Sequence, residues 1–106
     1  MKKLIIYNTS LSRGGAERVT VYLAEYVVKN GILCDIITQR IAPQEYDVPT
    51  GVERKCLTAG KNYFAKLCEL RRLIKQSQAD VMLVMGVPNC IYASLASIGL
   101  KIKVVV

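Results

Sequence analysis

The sequence contains no histidine and no tryptophan, and only one phenylalanine. Without histidine the chain holds no imidazole general base, no His metal ligand and no Ser-His-Asp triad. Cysteine is sparse, and Cys34, Cys56, Cys68 and Cys90 form no C-x-x-C pair. That spacing argues against structural zinc and against a thioredoxin-like redox motif. Each cysteine lies in an apolar stretch, so buried, reduced thiols are expected rather than a disulfide framework. Nor is a secretory leader expected. Lys2-Lys3 is followed by apolar residues only from Leu4 to Tyr7, whereas a signal peptide needs about 7–15. Val81 to Leu100 carries no charge and is nominally long enough to span a bilayer, which takes about 20 residues. Gly86, Pro88 and Asn89 cut it in two, however, and the pieces read as a strand and a helix.

What remains is a hydrophobic chain of 106 residues, 52% apolar. That length allows one domain with an ordinary core, and that composition excludes a disordered tail. No repeat, low-complexity tract or linker interrupts it. Short β-rich runs alternate with longer helical periods. Lys3 to Asn8 reads as a buried strand. From Gly14 to Asn30, Ala16, Val19, Leu23 and Val27 recur at helical spacing, and Asn30-Gly31 is a helix stop. Leu33 to Gln39 is a second strand, Ala42 to Thr50 a loop, and Val52 to Leu57 a third, more polar strand expected at an edge. Asn62 to Gln78 is a helix with an apolar face of Phe64, Leu67, Leu70, Leu73 and Ile74. Val81 to Met85 is a fully apolar strand. Asn89 to Leu100 reads as an apolar helix, with Pro88 suited to its start, and Ile102 to Val106 as a fifth strand.

The order is β-α-β-β-α-β-α-β. Strands alternating with helices imply a three-layer, Rossmann-like α/β domain over residues 1–106, with a mostly parallel five-stranded sheet and right-handed crossovers. Apolar runs one, four and five suit central strands. The chain stops on the fifth strand, just where an open parallel sheet places its functional loops, so a fragment of a longer protein is expected.

The first strand-to-helix turn, Asn8-Thr9-Ser10-Leu11-Ser12-Arg13-Gly14-Gly15-Ala16-Glu17, is the best site candidate. Adjacent glycines at a helix start let backbone N–H groups approach a ligand, and the helix dipole there favours an anion such as phosphate. Arg13 adds a forked cationic donor. The plainer reading is a tight turn at Gly14-Gly15 with Ser12 as a helix cap. The turn is neither G-x-G-x-x-G nor G-x-x-x-x-G-K-[ST], so a dinucleotide site lacks support and a P-loop nucleotidase is excluded. A phosphoacceptor receiver would need acidic residues at the ends of strands one and three, where this chain has Asn8-Thr9 and Cys56-Leu57. The second candidate is the turn at Gly86, Pro88 and Asn89, which also follows a strand's carboxyl end.

Ser12-Arg13-Gly14-Gly15-Ala16-Glu17-Arg18-Val19 resembles the "GGAERV" start of the first helix in family 4 glycosyltransferases of the GT-B fold. Leu23-Ala24, Asn30-Gly31 and Asp35-Ile36-Ile37-Thr38 fit the elements that follow in that family. Ile32 stands where the family often has His. Asp80 to Asn89 looks like the family's fourth strand and its loop. The resemblance implies one of two Rossmann-like domains facing a cleft. The N-terminal domain chiefly binds the acceptor, a glycan or a lipid-linked molecule. The C-terminal domain binds the nucleotide-sugar donor near a Glu-x7-Glu motif. By that match Gly14 and Gly15 supply backbone donors near the donor diphosphate and the acceptor, and Glu17 orders the helix start. No metal and no cofactor is implied, the nucleotide-sugar being a substrate. A second domain, the Glu-x7-Glu motif and the segment that follows the fifth strand in the family are all missing from these residues. Transfer by the 106 residues alone is therefore not expected, and a cytoplasmic setting is.

Charge is uneven. Met1 to Glu53 nets zero, and Arg54 to Val106 carries the whole excess of +7, with Glu69 and Asp80 its only acids. Lys66, Arg71, Arg72 and Lys75 on the second helix form a candidate surface for an anionic membrane at its inner face, where some enzymes of the resembled family sit. The plainer reading is a solvated helix face. Nucleic acid is not an expected partner, because no reading motif or aromatic platform accompanies the charge. The exposed last strand is a candidate dimer contact. Two readings compete with the enzyme segment. One is a flavodoxin-like module holding FMN or another phosphate ligand at Ser10 to Gly15, with Tyr46 or Tyr92 stacking on the flavin in place of Trp. The other is a basic module for anionic surfaces.

Overall fold

The structure is a computed structural model that describes residues 3–8, 11, 15–39, 45, 47–58, 62–85, 93–100 and 102–105, with backbone only at 15, 16 and 63. Its elements are β1 (Lys3–Asn8), α1 (Gly15–Lys29), β2 (Leu33–Thr38), β3 (Val52–Cys56), α2 (Tyr63–Ser77), β4 (Val81–Val84) and β5 (Lys103–Val105). A helical turn at 93–96 lies between β4 and β5. The five strands form one parallel sheet in the order β3-β2-β1-β4-β5. β1 is central, which is why five of its six residues are buried. The order reverses between β1 and β4, and the carboxyl ends of those two strands form the topological switch point, where open α/β sheets place their ligands.

Alternation along the strands sorts the core into two layers. Leu4, Ile6, Cys34 and Ile36 face α1 and pack with Ala24 and Val27. Ile5, Tyr7, Ile37, Met82 and Val84 face the other way and pack with Leu70 and Ile74 of α2 and with Ala93 and Ala96. The three-layer, Rossmann-like reading therefore stands.

Helix ends follow the local chemistry. Gly31, at φ +80°, closes α1 in a Schellman motif: Ile32 N–H donates to Val27 O at 2.9 Å and Gly31 N–H to Val28 O at 3.1 Å. Asn62 caps α2, its side chain accepting from Ala65 N–H at 3.1 Å, and Gln78 ends the helix at φ 55°.

Several expectations need correction. Val19, placed on the buried face of α1, is 53% exposed, while Thr20 and Ala24 are fully buried. At about 100° per residue, Val19 sits about a quarter-turn from the face that Thr20, Ala24 and Val27 define. Phe64 is 76% exposed, although Leu70 and Ile74 are buried as expected; it lies about 120° from Leu70 around the axis. Between β4 and β5, helical backbone is present only at 93–96 among the described residues, followed by turns with Gly99 at φ +79°. β5 is not central: its one neighbour among the described residues is β4, and its burial is correspondingly partial. β3 does lie at an edge. Cys34, Cys56 and Cys68 are free thiols, but only Cys34 is buried and Cys68 is exposed. The Cys68 position, one turn from Phe64 and Arg72, belongs to the outward face of α2. No helix among the described residues is long and apolar enough to cross a membrane.

Candidate functional site

The loops after β1, β2, β3 and β4 share one edge of the sheet, because parallel strands all end there. Gly15 opens α1 at that edge and Glu17 sits in its first turn, where an acidic side chain is favoured. Ser12, Arg13 and Gly14 lie outside the described residues, as do Gly86, Pro88 and Asn89. The placement of the two predicted loops is therefore read from their flanks. Leu11, before the first, is fully buried. Met85, before the second, donates its N–H to Tyr7 O at 2.9 Å, extending the β1–β4 ladder past the strand end.

A layer of polar side chains crosses the sheet just under this edge, on the α1 face. Asn8, the last residue of β1, is buried and donates from Nδ2 to Thr20 Oγ1 of α1 at 3.1 Å. Thr38, in register beside Asn8 and fully buried, accepts from Arg54 Nη2 of β3 at 3.1 Å. Arg54 makes a forked ion pair with Glu45: Nη1 bonds Oε1, and Nη2 bonds Oε2 at 3.0 Å. Glu45 Oε2 also accepts from Leu11 N–H at 3.0 Å. Both charged side chains are largely withdrawn from solvent, Arg54 at 17% and Glu45 at 10% exposure. The forked geometry and the further hydrogen bonds to Thr38 and from Leu11 offset part of the cost of burying such a pair. On the opposite face, Gln39 Nε2 donates to the buried Tyr7 hydroxyl at 3.0 Å.

Sequence reasoning missed Glu45, Arg54 and Thr20, and took Asn8 only as the first residue of the candidate turn. A signal for one existed: alternation in Val52-Glu53-Arg54-Lys55-Cys56 sets Arg54 in phase with Val52 and Cys56, on the inward side of the strand. A cation in phase with apolar residues calls for a buried partner.

The basic face of α2 divides. Arg72 and Lys75 are exposed, with Arg72 at 3.9 Å from Glu69, and Lys66 is half-buried. Arg71 is a correction: it turns inward, and Nη1 donates to the carbonyls of Ala96, at 3.2 Å, and of Ile98. It holds the turn before β5 rather than presenting a charge to a surface. Glu69 is likewise occupied, accepting from Thr58 N–H and Thr58 Oγ1, each at 2.6 Å. Far from the loop edge, Asp35 is buried on β2 and pairs with Lys3 at 3.0 Å and Lys55 at 3.8 Å. Its neighbour Cys34 has its thiol pushed up to about 12 by burial, with the Asp35 charge adding to the effect.

Known proteins with this architecture include a glycosyltransferase from Rickettsia africae ESF-5. It superposes with a TM-score of 0.68 at 21% identity, covering 97% of this chain and 28% of its own. The C-terminal domain of coenzyme A biosynthesis bifunctional protein CoaBC superposes with a TM-score of 0.53 at 12% identity, covering 80% of this chain and 44% of its own. At these identities the likeness is one of fold. The 106 residues thus span little more than a quarter of the Rickettsia protein. No curated protein sequence matches the chain significantly. The family model Glycosyltransferase Family 4 matches residues 13–106, running from the glycine turn through β5, and the chain therefore belongs to that family.

Proposed function

We propose that these residues are the acceptor-side portion of a glycosyltransferase. That enzyme moves a sugar from a nucleotide-sugar donor to a glycan or lipid-linked acceptor. The observation that carries the reading is the family match over residues 13–106, with α1 opening at Gly15 on the carboxyl edge of β1 and β4. Gly14 and Gly15 offer backbone N–H groups and the positive end of the α1 dipole to the donor diphosphate, and Arg13 adds a cation. On this reading Gly86, Pro88 and Asn89, which follow β4 in the sequence, belong to the same site. The donor is held chiefly by a second domain, so the 106 residues alone do not catalyse transfer. The test is a transfer assay with a panel of labelled nucleotide-sugars, run on the isolated 106 residues and on the complete gene product. Transfer by the complete product, lost when Gly15 is replaced by valine, supports the reading. Transfer by the isolated residues, or an unaffected Gly15→Val enzyme, refutes it.

The outward face of α2 favours a surface role in addition. Phe64 is 76% exposed near the start of α2, and the exposed cations Arg72 and Lys75 follow about two and three turns further along the same helix. An exposed aromatic and exposed cations on one helix suit the headgroup layer of an anionic membrane, the setting of a lipid-linked acceptor. Co-sedimentation with phosphatidylglycerol vesicles that falls on Arg72→Gln/Lys75→Gln supports this role. Binding unchanged in that double variant removes it.

A further inference from the structure

Leu11 stands where the turn after β1 begins, and its N–H is held by a carboxylate from far along the chain. Glu45 lies in the connection between β2 and β3, and Arg54 lies on β3. Arg54 in turn reaches Thr38 at the end of β2. One ion pair thus joins the start of the first loop to the end of β2 and the middle of β3. The elements that flank the loop are tied separately, because Thr20 of α1 accepts from Asn8 of β1. A carboxylate is needed at position 45 for a stereochemical reason. It accepts from the guanidinium fork with both oxygens and still has a lone pair on Oε2 for Leu11 N–H.

We propose that Glu45 and Arg54 are positioning residues. They fix the entry to the turn between β1 and α1 against β2 and β3, and so set the affinity of that turn for the diphosphate of a nucleotide-sugar. The proposal rests on the reading of the turn as a diphosphate site. Neither residue touches the ligand; both act through the Leu11 backbone.

The test separates holding the loop from holding the fold. The charge-swapped chain, Glu45→Arg/Arg54→Glu, keeps an ion pair between the two positions but puts a pure donor beside Leu11 N–H, which can accept nothing. Thermal denaturation, amide hydrogen exchange by NMR and titration with inorganic pyrophosphate are run on the natural and swapped chains. The expected result is a folded chain whose melting temperature falls by several degrees, because the buried Leu11 N–H is left without its acceptor. Leu11 amide exchange is faster by at least a factor of ten, and pyrophosphate binds about tenfold more weakly, the scale of one lost charge-assisted hydrogen bond. A folded swapped chain with natural Leu11 protection and natural pyrophosphate affinity overturns the proposal. If the swapped chain does not fold, the natural chain decides. Its Leu11 amide must be protected as strongly as the amides of β1, and fast exchange there overturns the proposal. If the natural chain does not bind pyrophosphate, the diphosphate reading fails and the affinity half of the proposal with it. Leu11 exchange still tells whether the pair holds the loop.

Discussion

Replacing Arg71 by alanine removes the donor that holds the carbonyls of Ala96 and Ile98, and with it the tie between α2 and the turn before β5. Hydrogen bonds from a charged donor contribute about 1.5–3 kcal/mol each when buried. One nitrogen serves both carbonyls here and the side chain is only half-buried, so about 2 kcal/mol in all is the reasonable loss. For a domain of this size, that corresponds to a melting temperature lower by about 8–16 °C. Arg72→Ala is the control. The Arg72 side chain is 65% exposed and stands 3.9 Å from Glu69, and an exposed pair of that kind contributes about 0.5 kcal/mol or less. Urea unfolding of both variants, with equal m-values, measures the difference directly. The assignment also separates the two roles of the basic helix: vesicle binding should fall in Arg72→Gln/Lys75→Gln and stay unchanged in a folded Arg71→Lys chain. Equal stabilities for Arg71→Ala and Arg72→Ala would refute the reasoning, and would return Arg71 to the solvated face that the sequence pattern implies.

Three further outcomes are expected. Thr20→Val leaves the buried Asn8 amide without its acceptor and should cost about 1–3 kcal/mol in urea unfolding, with Thr20→Ser close to the natural chain. Gly51→Ala should destabilise more than Gly31→Ala: both have positive φ, but a Cβ at Gly51 meets Val28 Cγ1 at 3.0 Å whereas one at Gly31 meets nothing within 4 Å. Cys68 should react readily with a thiol reagent at pH 8 in the folded chain and Cys34 should not, since one is exposed and the other buried with its thiol pushed up to about 12. The linked pH effect has a definite sign. An unfolded thiol ionises from about pH 8.5, while the folded one stays protonated to about 12. Stability therefore falls as pH rises between those values, and less so in Cys34→Ala than in the natural chain.

The fold was legible because its signals are local. A run such as Leu-Ile-Ile-Tyr is buried on both faces only in a central strand, and Asn62, Asn30 and Gly31 mark helix ends by their own backbone chemistry. What the pattern misjudged is tertiary. Val19 and Phe64 point outward because Thr20, Ala24 and Val27 form the buried face of α1 and Leu70 and Ile74 that of α2. The apolar run at β5 suggested a central strand, but strand order depends on pairing and not on hydropathy. At the site, the glycine turn was legible as a motif, whereas Glu45 was invisible. A loop glutamate reads as solvated until the fold brings it to Leu11 and Arg54. Arg54 was readable in principle from strand alternation, but its partner was not.

The most direct test of the central claim is a pyrophosphate titration of the isotopically labelled chain, followed residue by residue in amide NMR spectra. The claim is that the carboxyl edge of β1 and β4 is where the donor diphosphate sits. The account predicts that the largest shifts fall on Leu11, Gly14, Gly15 and Glu17, with smaller ones at Gln39 and Met85, and none at the opposite edge. Largest shifts at Lys75, Gln78, Asp80 and Ile102, in the groove at the amino end of the sheet, would contradict it.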